Sequence, residues 1–133
     1  MKGKDNVISQ FNENCLLIKI RQKTIDERGS TYEAVRQYWA ADQKRAEYTD
    51  LVLAVLAGSG GKVIGVYKPL EWHNVTAEYV KYQEKHNRPF SSRERIAFTG
   101  CEADDAAKKR YLDKYLPDEL WKAQAPFRYR YKQ

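Results

Sequence analysis

The fold is decided by the stretch Leu51-Val-Leu-Ala-Val-Leu-Ala57, Gly58-Ser-Gly-Gly61, Lys62-Val-Ile-Gly-Val-Tyr-Lys68. Two apolar runs rich in β-branched residues flank a four-residue turn of glycine and serine, and this pattern predicts an antiparallel β-hairpin. The second run leads into Pro69-Leu-Glu-Trp-His-Asn74, which predicts a loop carrying Trp72 and His73. Because binding sites are often built on loops at strand ends, this loop is a candidate site.

Two further runs outside the hairpin show the alternation of a β-strand. In Cys15-Leu-Leu-Ile-Lys-Ile-Arg21 the apolar side chains Leu16, Ile18 and Ile20 share one face. The run Phe127-Arg-Tyr-Arg-Tyr-Lys132 alternates strictly, so that aromatic rings lie on one face and Arg128, Arg130 and Lys132 on the other. A fifth strand is predicted over residues 93–99 and ends at Gly100.

Helices are predicted between these strands. Ser30 and Glu33 form a capping box that predicts a helix over residues 31–43, after a polar connection over residues 22–29. Further helices are predicted over residues 75–86 and 103–115, with a turn over residues 118–122. The pattern therefore predicts an α+β fold: a small, mostly antiparallel, partly closed β-barrel of about five strands, with two or three flanking helices across its openings.

The composition indicates one globular domain. The chain has 133 residues, of which 42% are hydrophobic and 32% charged, a balance typical of folded proteins. No run reaches the roughly 18 apolar residues of a membrane-spanning helix. No apolar segment of a secretory signal follows Met1-Lys-Gly-Lys-Asp-Asn6. We expect a cytoplasmic protein with a polar, loose N-terminal arm over residues 1–14 and a single domain over residues 15–133.

Cysteine and histidine are scarce. The chain contains two cysteines, Cys15 and Cys101, and two histidines, His73 and His86, none of them at metal-finger spacing. A structural zinc site needs about four ligands, so we predict neither a metal site nor a cofactor. Two free thiols agree with a reducing cytoplasm.

The charge is basic. The formal net charge is +6, and the excess is spread along the chain. Lys122, Arg128, Arg130 and Lys132 follow one another near the C-terminus with no acidic residue among them. Such an excess is compatible with nucleic acid or a phosphorylated small molecule as the partner.

Several short motifs in a fixed order resemble a known family. They are Tyr32-Glu-Ala-Val-Arg36 with Trp39, Val66-Tyr67 with Trp72, Arg95-Ile-Ala-Phe98 with Gly100, Arg110-Tyr-Leu with Lys114, and Ala123-Gln-Ala-Pro-Phe-Arg-Tyr129. This order resembles an uncharacterised bacterial and phage domain family that sometimes accompanies GIY-YIG-like nuclease domains. The strand pattern is also similar to that of PUA-like barrels, a resemblance that implies binding of RNA or modified bases.

The chain departs from the family pattern at two positions. Gln37 stands where the family tends to have glycine, and Ala125 stands where asparagine precedes the proline. The signature of a GIY-YIG nuclease is itself absent from the chain. The resemblance therefore implies a fold rather than a nuclease activity.

Two groups of candidate ligand-binding residues combine aromatic and polar side chains. Arg36, one turn from Trp39, could clamp a base or a phosphate; alternatively Trp39 is core and Arg36 pairs with a carboxylate or caps a strand end. Tyr67, Trp72 and His73 could form a stacking wall with a hydrogen-bonding imidazole; alternatively Trp72 tucks the loop over the barrel mouth.

The remaining candidates are basic. Arg128 and Arg130 lie on the cationic face of the last predicted strand, where they suit a phosphate track or, alternatively, a solvated edge that discourages aggregation. Arg95 adds to the same basic surface, and the same two interpretations apply to it, a contact with phosphate or a solvated charge.

These features favour a non-enzymatic recognition module that binds nucleic acid or a nucleotide-like ligand. Ten tyrosines and three tryptophans would also suit a homo-oligomeric interaction or accessory protein. A third alternative, a small hydrolase or nuclease using His73 or Cys101, lacks a recognisable carboxylate pair or ligand cluster.

Overall fold

The fold is an α+β arrangement on one mixed sheet, seen in a computed structural model that describes residues 6–122 and 126–132. The sheet has five strands: β1 (Cys15–Ile20), β2 (Leu51–Leu56), β3 (Val63–Asn74), β4 (Ile96–Glu102) and β5 (Phe127–Arg130). Their order is β4-β3-β2-β1-β5, in which β1 and β2 are parallel and the other neighbours antiparallel. The prediction of a mostly antiparallel α+β fold is confirmed.

The sheet is not closed. Its outermost strands, β4 and β5, form no ladder with each other in the described ranges. The described helices number six and are short: α1 (Gln22–Arg28), α2 (Thr31–Arg36), α3 (Gln43–Ala46), α4 (Thr76–Lys85), α5 (Asp105–Tyr111) and α6 (Asp118–Trp121). The partly closed barrel is therefore not confirmed, and the helices outnumber the two or three that were predicted.

The central hairpin is confirmed, but its second strand is longer than predicted. β3 continues through Trp72 and His73, which lie opposite Phe98 and Ala97 of β4. The prediction of a loop over residues 69–74 is therefore wrong, because pairing with β4 keeps this segment extended. Gly100 does not end β4: it approaches the backbone of Lys68 and Pro69 so closely that a Cβ atom there would collide with it.

The predicted helix over residues 31–43 is divided in two. Its start is confirmed, since the Ser30 hydroxyl accepts a hydrogen bond from the Glu33 amide. The helix ends at Arg36 because the next residues turn to the sheet, where Trp39 exchanges backbone hydrogen bonds with Ile96. The preceding polar connection forms helix α1, which Gly29 ends in the left-handed conformation at φ 98°.

The sheet is buried on both faces, which explains the continuous apolar runs of β1 and β2. On one face, here the α5 face, Leu17, Leu53 and Val66 pack against Ala107 and Tyr111 of α5. On the opposite α2 face, the core residues include Leu16, Ile18, Val52, Phe98, Ala34 and Val35.

The described part of the N-terminal arm, residues 6–14, belongs to the α5 face. Ile8 and Phe11 are buried there, and the Ile8 amide donates to the Tyr115 carbonyl at 2.8 Å. Phe11 stacks on Tyr111 with ring centroids 5.8 Å apart. This segment is packed rather than loose.

Candidate ligand clefts at one end of the sheet

The C-terminal ends of β1 and β2 lie side by side because these strands are parallel. Ile20 pairs with Leu56, and the Ala57 amide donates to the Ile20 carbonyl at 2.8 Å. In open sheets, ligands commonly bind beyond the carboxyl ends of parallel strands. A cleft of about 410 Å³ lies at this end, lined by Lys19, Val55, Leu56, Ala57, Gly58, Gly61, Trp121 and Lys122.

The glycine-rich turn forms one wall of this first cleft. The Ser59 hydroxyl donates to the Leu56 carbonyl at 2.6 Å and accepts from the Lys62 amide at 2.9 Å, which fixes the turn. Gly61 has φ 93°, and a Cβ atom built on it would lie 2.6 Å from the Trp121 ring. The missing side chain therefore lets the indole pack directly against the turn.

Two lysines line the first cleft beside Trp121. Lys19 donates from Nζ to the Trp121 carbonyl at 2.8 Å. The Lys122 ammonium lies 3.5 Å from an Asp118 carboxylate oxygen and 5.6 Å from the centre of the Trp121 ring. The first cleft thus combines two ammonium groups, an indole and an exposed glycine backbone.

A second cleft of about 300 Å³ lies just beyond the end of β1, where it is lined by Arg21, two residues after Lys19. Its walls carry four cationic side chains, Arg21, Lys23, Arg28 and Arg88, against one carboxylate, Glu27. Arg88 and Tyr82 donate hydrogen bonds to Glu27 and lower the pKa of its carboxyl group to about 2. Glu27 is therefore ionised at neutral pH, and the cleft keeps a cationic excess.

Arg36 lies in a different place, at the outer edge of β4. Its Nε donates to the Phe98 carbonyl at 3.0 Å, and its terminal nitrogen lies 3.3 Å from a Glu33 carboxylate oxygen. The Gly100 amide donates to the Tyr32 hydroxyl at 3.0 Å. The Trp39 backbone exchanges hydrogen bonds with Ile96. Segment 32–39 therefore forms hydrogen bonds with the backbone of three residues along this edge.

Tyr67 and Trp72 pack inside the core of the α2 face. Their exposed fractions are 6% and 7%, and the Trp72 ring centroid lies 5.1 Å from that of Phe98. Burial raises the pKa of the Tyr67 phenol. His73 is half-buried within β3, opposite Ala97.

The three other predicted residues lie at separate sites. The Arg95 guanidinium lies 4.2 Å from the centre of the Tyr79 ring, beside α4. Arg128 donates to the Glu119 carbonyl at 2.8 Å, and the Arg130 guanidinium lies 5.7 Å from the centre of the Phe11 ring. The structure therefore brings Arg36, Tyr67 and Trp72 near one another but does not gather all seven predicted residues.

Sequence reasoning missed Lys19, Gly61, Trp121 and Lys122 as parts of one cleft. The glycine-rich turn and the Trp-Lys pair were visible signals, but the chain separates them by about sixty residues, and only the folded sheet brings them together.

Cys101 is exposed and Cys15 buried, and both thiols are free. Within residues 6–122 and 126–132, no three His, Cys, Asp or Glu side chains converge as metal ligands. No helix in these ranges has the length and apolar character needed to cross a membrane. Comparison with models of protein families, with curated proteins and with solved structures gives no match.

Proposed function

We propose that this α+β protein is a non-enzymatic recognition module that binds nucleic acid or a nucleotide-like ligand at these two clefts. These clefts, together called the basic end, contain Lys19 and Lys122 in the first and Arg21, Lys23, Arg28 and Arg88 in the second. This concentration of cations at the carboxyl ends of the parallel strands is the observation that carries the proposal.

Each part of the basic end suits one part of a nucleotide. Lysine and arginine side chains attract phosphates without regard to base sequence. Trp121, half-buried against Gly61, offers an indole on which a base can stack. Gly58 lines the first cleft, is exposed and has open space where a side chain would lie, so that a phosphate can approach its backbone closely.

The resemblances to PUA-like barrels and to the bacterial and phage domain family remain part of this proposal and rest on the sequence alone. The prediction of a cytoplasmic location also rests on the sequence alone. A phosphorylated small molecule is the other ligand of the same chemistry, and the experiment below separates it from a polymer.

The test is fluorescence anisotropy with labelled single- and double-stranded DNA and RNA at about 50 and 200 mM salt, where phosphate contacts show their salt dependence. We expect binding that weakens steeply with salt. Arg21→Ala, Lys23→Ala and Lys122→Ala should each reduce the salt slope by about 1, as the loss of one phosphate contact does. Lys68→Ala, an exposed lysine of β3, is the matched control and should change nothing.

Two results would contradict the proposal of polymer binding. The first is absence of binding to any of the four polymers, after which nucleoside phosphates are tested in the same clefts by competition with inorganic phosphate. The second is an equal effect of Lys68→Ala and Lys122→Ala. A molecular mass that rises with protein concentration, without nucleic-acid binding, would favour the homo-oligomeric alternative.

A further inference from the structure

The two outer edges of the sheet are treated differently. The edge of β4 is satisfied by Tyr32, Arg36 and the Trp39 backbone, as described above. The other outer strand, β5, pairs with β1 on its inner side. An unpaired strand edge is a template for a further strand.

The register identifies the backbone groups that β5 leaves unpaired. The Lys19 amide donates to the Pro126 carbonyl at 2.8 Å, so these two residues form a hydrogen-bonded pair. The pairs of the same kind then follow at every second residue, Leu17 with Arg128 and Cys15 with Arg130. Because hydrogen-bonded pairs alternate in antiparallel ladders, the N–H and C=O groups of Phe127 and Tyr129 point outward. None of the described backbone bonds outside the sheet uses these groups.

Cationic side chains flank this edge on both faces. On the α5 face, Arg128 and Arg130 form no ion pair with any described carboxylate, and Arg130 Nε is buried without a hydrogen-bond partner. On the α2 face, the Arg45 guanidinium lies 4.1 Å from the centre of the Tyr129 ring, and Arg45 Nε donates to the Tyr131 hydroxyl at 2.9 Å. An added strand would therefore meet positive charge on each side.

We propose that the outer edge of β5 binds an extended acidic peptide, which joins the sheet as a sixth strand. Its backbone would bond to Phe127 and Tyr129, and its carboxylates would lie beside Arg128 and Arg130. Its other face would contact the stacked rings of Tyr129 and Tyr131, whose centroids are 6.4 Å apart. This edge lies beside the first cleft, since Arg128 lines a narrow space together with Lys19 and Trp121, but its outward backbone groups are not part of the basic end.

Charge argues against a second copy of the chain at this edge. In a two-fold antiparallel pairing of β5 with itself, residues of the same face lie opposite one another. In the two registers that overlap the strands most, Arg128 meets either itself or Arg130 of the other copy. Like charges directly opposite are unfavourable, whereas an acidic strand supplies the complementary charge.

The first experiment uses a fluorescein-labelled peptide of alternating glutamate and valine, with its lysine–valine counterpart as control. We expect saturable binding of the acidic peptide only. Two further peptides carry N-methyl groups on one or the other alternate set of residues, because only one set directs its N–H groups at β5. One of the two methylated peptides should bind at least tenfold more weakly than the unmethylated acidic peptide, and the other should bind with unchanged affinity. Equal affinities of the two methylated peptides would overturn strand addition.

The second experiment compares two variants of one position. Tyr129→Pro removes the outward N–H, which an edge strand tolerates without loss of its inner ladder, whereas Tyr129→Ala keeps it. We expect Tyr129→Pro to bind the acidic peptide at least tenfold more weakly than Tyr129→Ala, with matching circular dichroism spectra. Equal affinities of the two variants would overturn the proposal. The proposal is also wrong if the Tyr129→Pro spectrum shows loss of the sheet and the two N-methylated peptides bind the wild-type protein equally.

The two proposals fail separately. Lys122→Ala should leave peptide binding unchanged while it weakens oligonucleotide binding, and Tyr129→Pro should do the reverse. If Arg128→Glu abolishes oligonucleotide binding and the wild-type chain binds no acidic peptide, then the edge of β5 is a nucleic-acid contact and the peptide proposal is wrong.

Discussion

Gly61 and Trp121 show how one absent side chain shapes the basic end. The indole occupies the space where a Cβ atom of residue 61 would lie, and Gly61 also adopts φ 93°. Gly58 has a similar φ of 81° but open space around it. The two glycines therefore separate the cost of the backbone conformation from the cost of displacing the ring.

We predict that Gly61→Ala destabilises the protein by about 2–4 kcal/mol, the sum of left-handed strain and displacement of the packed indole. Gly58→Ala should cost only the strain, about 1–2 kcal/mol. Urea unfolding followed by circular dichroism measures both values. Equal destabilisation by the two substitutions would contradict direct packing of Trp121 on Gly61.

Individual residues were harder to predict than the pattern that contains them. Alternation correctly placed Leu16, Ile18 and Ile20 on one face, which puts Lys19 on the other face, but it gives Lys19 no partner. Its role depends on Trp121, more than a hundred residues away, whose carbonyl accepts its hydrogen bond. A local pattern carries no information about such a partner.

At the scale of elements, the segment 32–39 acts as a cover for the edge of β4. Tyr32, Arg36 and Trp39 meet Gly100, Phe98 and Ile96, which are alternate residues of that strand. Alternate residues of an edge strand direct their free backbone groups to the same side, so the three contacts satisfy one row. Two of the sequence motifs quoted above, Tyr32 to Trp39 and Arg95 to Gly100, thus form the two sides of one contact.

We predict that Tyr32→Phe destabilises the protein by about 1 kcal/mol, the typical contribution of one hydrogen bond, because it removes the acceptor of the Gly100 amide. Amide hydrogen exchange at Gly100 should accelerate. Tyr48→Phe is the matched control, since the Tyr48 side chain is 76% exposed. Unchanged exchange at Gly100 in Tyr32→Phe would show that the hydroxyl does not hold this edge.

Elements with a strong local pattern were predicted well, and those fixed by distant partners were not. The hairpin, β1 and the helix from Thr76 to Lys85 follow from alternation, turn residues and a helix-breaking Asn-Arg-Pro sequence. The end of α2 at Arg36 and the extension of β3 to Asn74 are imposed by β4. The open sheet depends on the parallel pairing of β1 with β2, which no local signal announces.

At the scale of the whole molecule, the two cysteines differ in their exposure to solvent, so their reactivity distinguishes the folded from the unfolded protein. Cys15 is 1% exposed at the start of β1, and its burial, with the nearby Glu13 carboxylate, raises the pKa of its thiol to about 12. Cys101 is exposed in β4. The reactive thiolate is therefore suppressed at Cys15 in the folded state.

We predict that a thiol reagent at pH 8 modifies one cysteine of the native protein and both cysteines in concentrated urea. Mass spectrometry counts the added groups, and Cys101→Ser, the control, should remain unmodified until it unfolds. Rapid modification of native Cys101→Ser would mean that β1 opens without global unfolding.

The pairing of β5 with β1 has a consequence for the order in which the chain folds. Cys15 and Arg130 are neighbours in the sheet although more than a hundred residues separate them in the chain. Among the five described strands, a growing polypeptide completes β1 first and β5 last, so β1 has no partner on that side until β5 has been made. Until then, the apolar sequence Cys15-Leu-Leu-Ile18 is an exposed strand edge that can pair with other nascent chains. We therefore expect chaperone protection to matter most before β5 is synthesised.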